Sequence, residues 1–159
     1  NAILQKMLEI KSRSIAYTKR IARRLAGEIK KNKISRQAYI LALEGDLGSG
    51  KTTFTQAFAR ALGIKEKITS PTFVLMKVYN LSPKTHNLRR FVHIDCYRLD
   101  SPKELRHLGF KNLLKDKDAI VAIEWADKIK KILPKDIVRI EFEHGKKPRE
   151  RILKVLKFL

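Results

Sequence analysis

Ala38-Tyr39-Ile40-Leu41-Ala42-Leu43-Glu44, running into Gly45-Asp46-Leu47-Gly48-Ser49-Gly50-Lys51-Thr52-Thr53-Phe54, is the stretch that decides the fold. Ala38–Leu43 is apolar throughout, as a strand buried on both faces would be. Gly45–Thr52 fits G-x-x-x-x-G-K-[ST]. Each part of that pattern has a chemical reason. Glycines let the backbone close around phosphate oxygens and turn successive N–H groups toward them. A helix starting near Lys51 would aim its positive end at the same oxygens. Lys51 would reach the outer phosphates, and the Thr52 hydroxyl would bind Mg²⁺. By composition alone, a chance match in such a chain occurs on the order of once in two hundred.

The flanks support this reading. Lys51–Leu62 has helical period, with Phe54, Phe58 and Leu62 on one face and Gly63 where a helix-ending glycine belongs. Strand, glycine loop and helix open an α/β fold. Upstream, Ile15, Ala22, Leu25 and Ile29 predict a helix over Ile15–Ile29. Downstream, Phe73–Tyr79 and Phe91–Tyr97 are expected strands joined by the polar stretch Asn80–Arg90. Ser101-Pro102-Lys103-Glu104 carries a capping box and opens a short helix that Gly109 ends. Ala119–Ile123 is a second buried strand ending at Glu124-Trp125. Ile137–Glu143 and Arg151–Leu156 alternate around His144-Gly145, which predicts a C-terminal β-hairpin closing one edge of the sheet. The expected architecture is a single P-loop NTPase domain over residues 1–159, a mixed, mostly parallel sheet flanked by helices.

Composition narrows the function classes. The chain has 159 residues, with 36 Lys+Arg against 16 Asp+Glu, a net charge of +20. That charge favours an acidic partner such as RNA, DNA, a phosphorylated ligand or an acidic protein. A general surface bias toward lysine explains it equally well. No zinc-finger spacing, RNP motif or heptad array accompanies the charge, so it does not by itself define a nucleic-acid-binding module. At 43% hydrophobic residues the chain can build a core, which argues against disorder. No apolar run approaches the ~20 residues of a membrane span. The single cysteine, Cys96, excludes an internal disulfide and is read as a small core residue; with no signal-peptide layout at Asn1–Lys6, the expected location is the cytoplasm.

The nucleotide expected is ATP. No Asp after Thr52 has Gly three residues later, and no [NT]-K-x-D guanine reader is present. P-loop enzymes commonly place a second acid at the end of a buried strand. Asp95 and Glu124 both qualify, and their spacing leaves open which faces the metal and which orients water. His86, His93, His107 and His144 lack paired metal spacing. Lys146–Arg151 is read as a solvated hairpin tip guarding the sheet edge, with a tRNA or partner surface as the alternative.

Four blocks in order resemble the TsaE (YjeE) family of bacterial ATPases: the glycine loop with Thr53, Thr69-Ser70-Pro71-Thr72-Phe73, His93-Ile94-Asp95-Cys96-Tyr97-Arg98-Leu99, and Glu124-Trp125. The resemblance implies an ATP- and Mg²⁺-binding ATPase, slow alone, that serves threonylcarbamoyl modification of adenosine in tRNA. Its implied partners are the TsaD and TsaB proteins of the transfer complex, and it is not itself the transferase. Gly48, Ser49, Gly50, Lys51, Thr52, Thr53, Thr72 and Trp125 are then expected against the nucleotide. Thr52 and Glu124 are expected at the metal, with Lys51, Asp95 and Glu124 in catalysis and Asp95 orienting the attacking water. Ala126 stands where the family often has proline, and Ala22 where it has glycine. A small-molecule kinase on the same scaffold is the competing reading, although no inserted Arg-rich lid is visible.

Overall fold

The computed structural model describes residues 5–32, 36–82 and 88–158. Its strands are β1 Gln5–Ser12, β2 Tyr39–Gly45, β3 Met76–Asn80, β4 Arg90–Asp95, β5 Ala119–Glu124, β6 Val138–His144 and β7 Arg151–Phe158. The helices are α1 Ile15–Asn32, α2 Lys51–Ala61, α3 Lys103–His107 and α4 Phe110–Leu114, with a 3-10 helix over Ala126–Ile132. The strands form one seven-stranded sheet in the order β1-β7-β6-β2-β5-β4-β3.

β2 pairs in parallel with β5 and with β6, and β4 pairs in parallel with β5. β3–β4, β6–β7 and β1–β7 are antiparallel. Three pairings of each kind make the sheet evenly mixed, which corrects the mostly parallel expectation. The C-terminal hairpin does form, but it does not close the edge: β1 pairs along the outer side of β7. The sequence reading missed β1 because Lys6, Glu9 and Lys11 break up its apolar residues.

The central strands are long apolar runs because both their faces are covered. On one face Leu41, Leu43, Ile120 and Ala122 pack against Ala22, Ala26 and Ile29 of α1, Phe54 and Phe58 of α2, and Leu62 just after it. On the other, Ile40, Ala42, Val121 and Ile123 pack against Leu105 of α3, Phe110 of α4, and Ala126 and Ile129 of the 3-10 helix. The alternation of side chains across each strand divides the two sets. Phe58 is fully buried and lies 6.3 Å from Phe54 and 6.1 Å from Phe91, ring centre to ring centre.

Two expected strands begin or end elsewhere. Residues 72–74 form a turn, in which Val74 N–H donates to Pro71 O (3.0 Å), and Leu75 has φ 61°; β3 therefore starts at Met76 rather than Phe73. β4 stops at Asp95, so Cys96 lies just beyond the strand, still fully buried. Half of the capping box forms: Glu104 Oε1 accepts Ser101 N–H (3.0 Å), but Ser101 Oγ accepts the N–H of Lys103 (3.3 Å) rather than that of Glu104. Gly109, at φ 74°, ends α3 and also opens α4, a helix the sequence did not signal. The Asn80–Arg90 connection lies partly outside the described residues.

Candidate functional site

The register of the parallel strands gathers the site. Asp95 on β4 is opposite Glu124 on β5, and Glu124 is opposite Leu43 on β2, two residues before Gly45. The ends of all three strands and the loop after β2 therefore meet at one end of the sheet, where α/β sheets form ligand crevices. A cleft of about 390 Å³ opens there, lined among others by Gly48, Gly50, Lys51, Thr52, Thr53, Thr72, Asp95, Glu124 and Trp125. Of the expected site residues, Ser49 stays behind this surface; it is fully buried, and its N–H donates to Asp46 O (3.2 Å).

The loop needs glycine at particular points. Gly50 precedes α2 with φ 107°, a conformation L side chains rarely adopt. Gly45 has φ 137°, and a Cβ there would sit 2.3 Å from the Phe142 carbonyl oxygen on β6. Strand pairing of Gly45 with Phe142 leaves no room for a side chain.

Lys51 lies back across the loop. Its ammonium donates to the carbonyls of Gly45 (2.5 Å) and Asp46 (2.8 Å), with Ser49 Oγ at 3.4 Å. It also sits 4.1 Å from the centre of the Trp125 ring, within cation–π range. Burial lowers the Lys51 pKa below the ordinary lysine value, and Glu124, Asp95, Asp127 and Asp46 oppose that shift. Trp125 is half-buried at φ 58° and also contacts the Tyr97 ring at 5.1 Å, so it forms a wall of the cleft rather than part of the deep core.

Glu124 is 2% exposed and both its oxygens accept hydrogen bonds: Oε2 from Thr52 Oγ1 (2.7 Å), Oε1 from His93 Nε2 (2.8 Å). His93 is fully buried, and its Nδ1 has no hydrogen-bond partner among the described residues. The sequence reading excluded His93 only as part of a paired metal site; in the structure it holds the Glu124 carboxylate that also accepts from Thr52. Asp95 is bound just as fully. One oxygen accepts the Ser70 hydroxyl and the other accepts Tyr97 N–H (2.9 Å). This fastens the Thr69–Thr72 block to the end of β4. Thr72 contributes a buried hydroxyl with no hydrogen-bond partner among the described residues. A buried hydroxyl is costly to leave unpaired, so it suits a ligand oxygen.

A second cleft of about 290 Å³ lies on the other side of the loop, lined by Ile15, Thr18, Gly48, Gly50, Thr53, Pro148, Arg149 and Arg151. The hairpin's part in it overturns the solvated-tip reading for Glu150 and Arg151. Glu150 is 6% exposed, and Arg151 donates to the carbonyls of Gly48 and Ser49. Nothing in the alternating pattern of β7 marks its first residue as a partner of the loop. Cys96 has no part in the site: burial, with Asp95 nearby, pushes its thiol up to about 12, so it is inert at neutral pH.

Among the described residues no group of three or more His, Cys, Asp or Glu could hold a metal ion. A hard cation here would take one hydroxyl, one carboxylate and ligand oxygens, the donor set that suits Mg²⁺ on a phosphate. Thr52 and Glu124 fit that requirement. Among the described residues, no helix is long and apolar enough to cross a membrane.

Comparison with known proteins gives a consistent result. The profile of the family described as Threonylcarbamoyl adenosine biosynthesis protein TsaE matches residues 12–152. The tRNA threonylcarbamoyladenosine biosynthesis protein TsaE of Haemophilus influenzae is 34% identical over 108 residues, which cover 68% of this chain and 65% of that protein. The protein of the same name from Borreliella burgdorferi is 43% identical over 97 residues, covering 61% of this chain and 66% of its own length. The matched stretch thus spans slightly under two thirds of either relative. The crystal structure of Bacillus subtilis YdiB superposes with a TM-score of 0.75 at 28% identity, covering 98% of this chain and 88% of that one.

Proposed function

The chain belongs to the TsaE family, and on that footing we propose that it is a Mg²⁺-dependent P-loop ATPase that serves threonylcarbamoyl modification of adenosine in tRNA. It acts with the TsaD and TsaB proteins, in the cytoplasm, and is not the transferase. The observation that carries this reading is the convergence of Lys51, Thr52, Glu124 and Asp95 on one glycine loop at the ends of β2, β5 and β4.

The two clefts divide the ligand. The one between the loop and Asp95 takes the outer phosphates, and the one beside Ile15, Thr18 and Arg149 takes the nucleoside. Main-chain N–H groups of the loop and the first turn of α2 neutralise phosphate charge. The Lys51 ammonium leaves the Gly45 and Asp46 carbonyls for the terminal phosphate. The Thr52 hydroxyl and the Glu124 carboxylate hold Mg²⁺, and His93 keeps that carboxylate turned toward Thr52. Bound there, the ion supplies positive charge at the phosphate oxygens. Asp95 orients the water for in-line attack, while its bond to Ser70 ties the state of the Thr69–Thr72 block to the phosphate site. The Thr72 hydroxyl gains its missing partner from the terminal phosphate. These groups aim at charge that develops in the transition state, where one donor is worth roughly a hundredfold or more in rate.

Of the two hairpin arginines, Arg149 and Arg151, that could serve a kinase lid, one is already engaged. Arg151 is committed to the loop carbonyls. The basic outer surface of α1, with Arg20, Arg23 and Arg24 exposed, leaves direct tRNA contact within this proposal. The deciding experiment is ATP hydrolysis by Lys51→Ala alongside nucleotide-dependent capture of TsaD and TsaB. Turnover should fall at least about a hundredfold with the circular dichroism spectrum unchanged. Unaltered turnover rejects the site, and no capture in ATP, ADP or nucleotide-free conditions rejects the partners.

A further inference from the structure

Arg151, the first residue of β7, spends its guanidinium entirely on main-chain carbonyls. Nε donates to Ser49 O (3.1 Å) and Nη2 to Gly48 O (3.0 Å), one fork across two successive peptides of the glycine loop. Nη1 donates back to Pro148 O (2.8 Å) and Glu150 O (2.7 Å). A trans peptide is planar, so holding its oxygen fixes the direction of its N–H. The Gly48–Ser49 peptide is gripped at both ends, its oxygen by Arg151 and its N–H by Asp46 O. The Ser49–Gly50 peptide, gripped at its oxygen, turns the Gly50 N–H to the side away from Arg151.

The mount of this fork is itself rigid. Glu150 N–H donates to Lys147 O (2.9 Å), Gly145 N–H to Glu150 O (2.9 Å), and Lys146 N–H to the Glu150 carboxylate (3.2 Å). Lys11 of β1 pairs with that carboxylate at 3.3 Å. A Cβ on Gly145 would lie 2.4 Å from Glu150 Cγ, so the turn closes tightly on the acid. The outer strands thereby reach the loop through one arginine.

We infer that Arg151 is a positioning residue that holds the glycine loop in its phosphate-receiving form before any ligand arrives. This rests on the proposed phosphate site. Because Arg151 acts through the loop, its loss weakens every polyphosphate by the same factor, whatever nucleoside is attached. A loop that must be ordered at the moment of binding binds more weakly, and the rate once bound is little changed.

The test measures Kd for MgATP and for magnesium tripolyphosphate by calorimetry, and KM and kcat for ATP, in the unsubstituted protein, Arg151→Met and Arg151→Lys. In Arg151→Met both Kd values and KM should rise about tenfold, with kcat within about twofold. Arg151→Lys, with one point donor in place of a fork, should recover only part of the loss. If Arg151→Met does not fold, the Lys variant decides by the same equal loss on both ligands. A lower melting temperature with unchanged Kd would make Arg151 merely structural and overturn the inference. A loss for ATP alone would make it a nucleoside contact, and full recovery with Lys would reduce it to a charge; either result also overturns it. No binding of either ligand by the unsubstituted protein overturns the phosphate site itself. Binding there with equal constants in Arg151→Met overturns only the role of Arg151.

Discussion

The inner strands β4, β5 and β2 and the outer strands β6, β7 and β1 are built for different tasks. β5 is buried at every position, and β4 at all but Arg90. Such strands have no surface of their own, so their chemistry can lie only at their ends, where Asp95 and Glu124 are found. β6 alternates buried and half-buried positions. Beyond it, Leu8, Ile10 and Val155 face Tyr17, Ile21 and Leu25 of α1 across an open apolar groove of about 480 Å³. The inner half carries the strand-end acids of the candidate site, and the outer half contributes the arginine that steadies the loop. The acids at the strand ends differ in the same way from the charges farther out: Asp95 and Glu124 are buried and bonded, while Lys11 and Lys154 of the outer strands pair with Glu150 and Glu143 near solvent.

The widest difference between the halves should appear in stability. Phe58 is fully buried on the inner face, whereas Leu8 is 55% exposed on β1. Phe58→Ala removes a ring stacked on Phe54 and tilted against Phe91 and leaves a cavity, for an expected loss of about 3–5 kcal/mol. Leu8→Ala should cost less than about 1 kcal/mol, since the residue has little burial to lose. Urea denaturation of the two variants measures this directly. A comparable loss at Leu8 would mean that the groove is closed in solution and that the outer half is as much core as the inner.

A smaller effect probes the seam between the halves, where Gly45 of β2 meets Phe142 of β6. Gly45→Ala combines a positive φ with a Cβ 2.3 Å from a backbone oxygen, so β6 or the loop must shift. The expected cost is about 2–3 kcal/mol. Gly27→Ala in α1 is the control. A Cβ there meets nothing within 4 Å, and the helix should gain up to about 1 kcal/mol. Thermal melts with opposite signs at the two glycines bear out the seam. Equal and small changes would mean that β6 yields to the loop without cost.

The inner half was far more legible in the sequence than the outer. Ala38–Leu43 and Ala119–Ile123 are unbroken apolar runs, and a glycine loop with lysine and threonine can be read by pattern alone. β1 was not legible because an edge strand needs apolar residues on one face only, and Lys6-Met7-Leu8-Glu9-Ile10-Lys11 contains three charges. The parallel pairing of β6 with β2 was hidden for another reason. Alternation signals a strand but does not say which neighbour it takes or in which direction. Asp95 and Glu124 could be named as strand-end acids, whereas the bonds that separate them, His93 and Thr52 on one and Ser70 on the other, depend on register. Arg151 reaches the loop only through the turn at Gly145–Glu150, and no local pattern encodes a side chain that spans two loops.

The least effect expected near neutral pH concerns Lys51 itself, a buried cation of the inner half. Burial lowers its pKa in the free protein. A bound triphosphate would favour the ammonium and raise that pKa again, so the complex holds the proton more tightly than the free protein does. At pH values below both pKa values the proton stays on in each state, and affinity does not depend on pH through this group. As pH climbs through the lowered free-state pKa, the free protein releases its proton first. Binding must then take one up, and affinity falls with rising pH from a point below the ordinary lysine value of 10.5. Calorimetric titration of MgATP from pH 7 upward, in two buffers of different ionisation enthalpy, reads this uptake as a buffer-dependent heat. Arg at position 51 keeps its charge across the range, so Lys51→Arg, although weaker overall, should lose the alkaline decline. The same decline in that variant would move the titrating group elsewhere and leave Lys51 no different from the solvent-facing lysines of the outer strands.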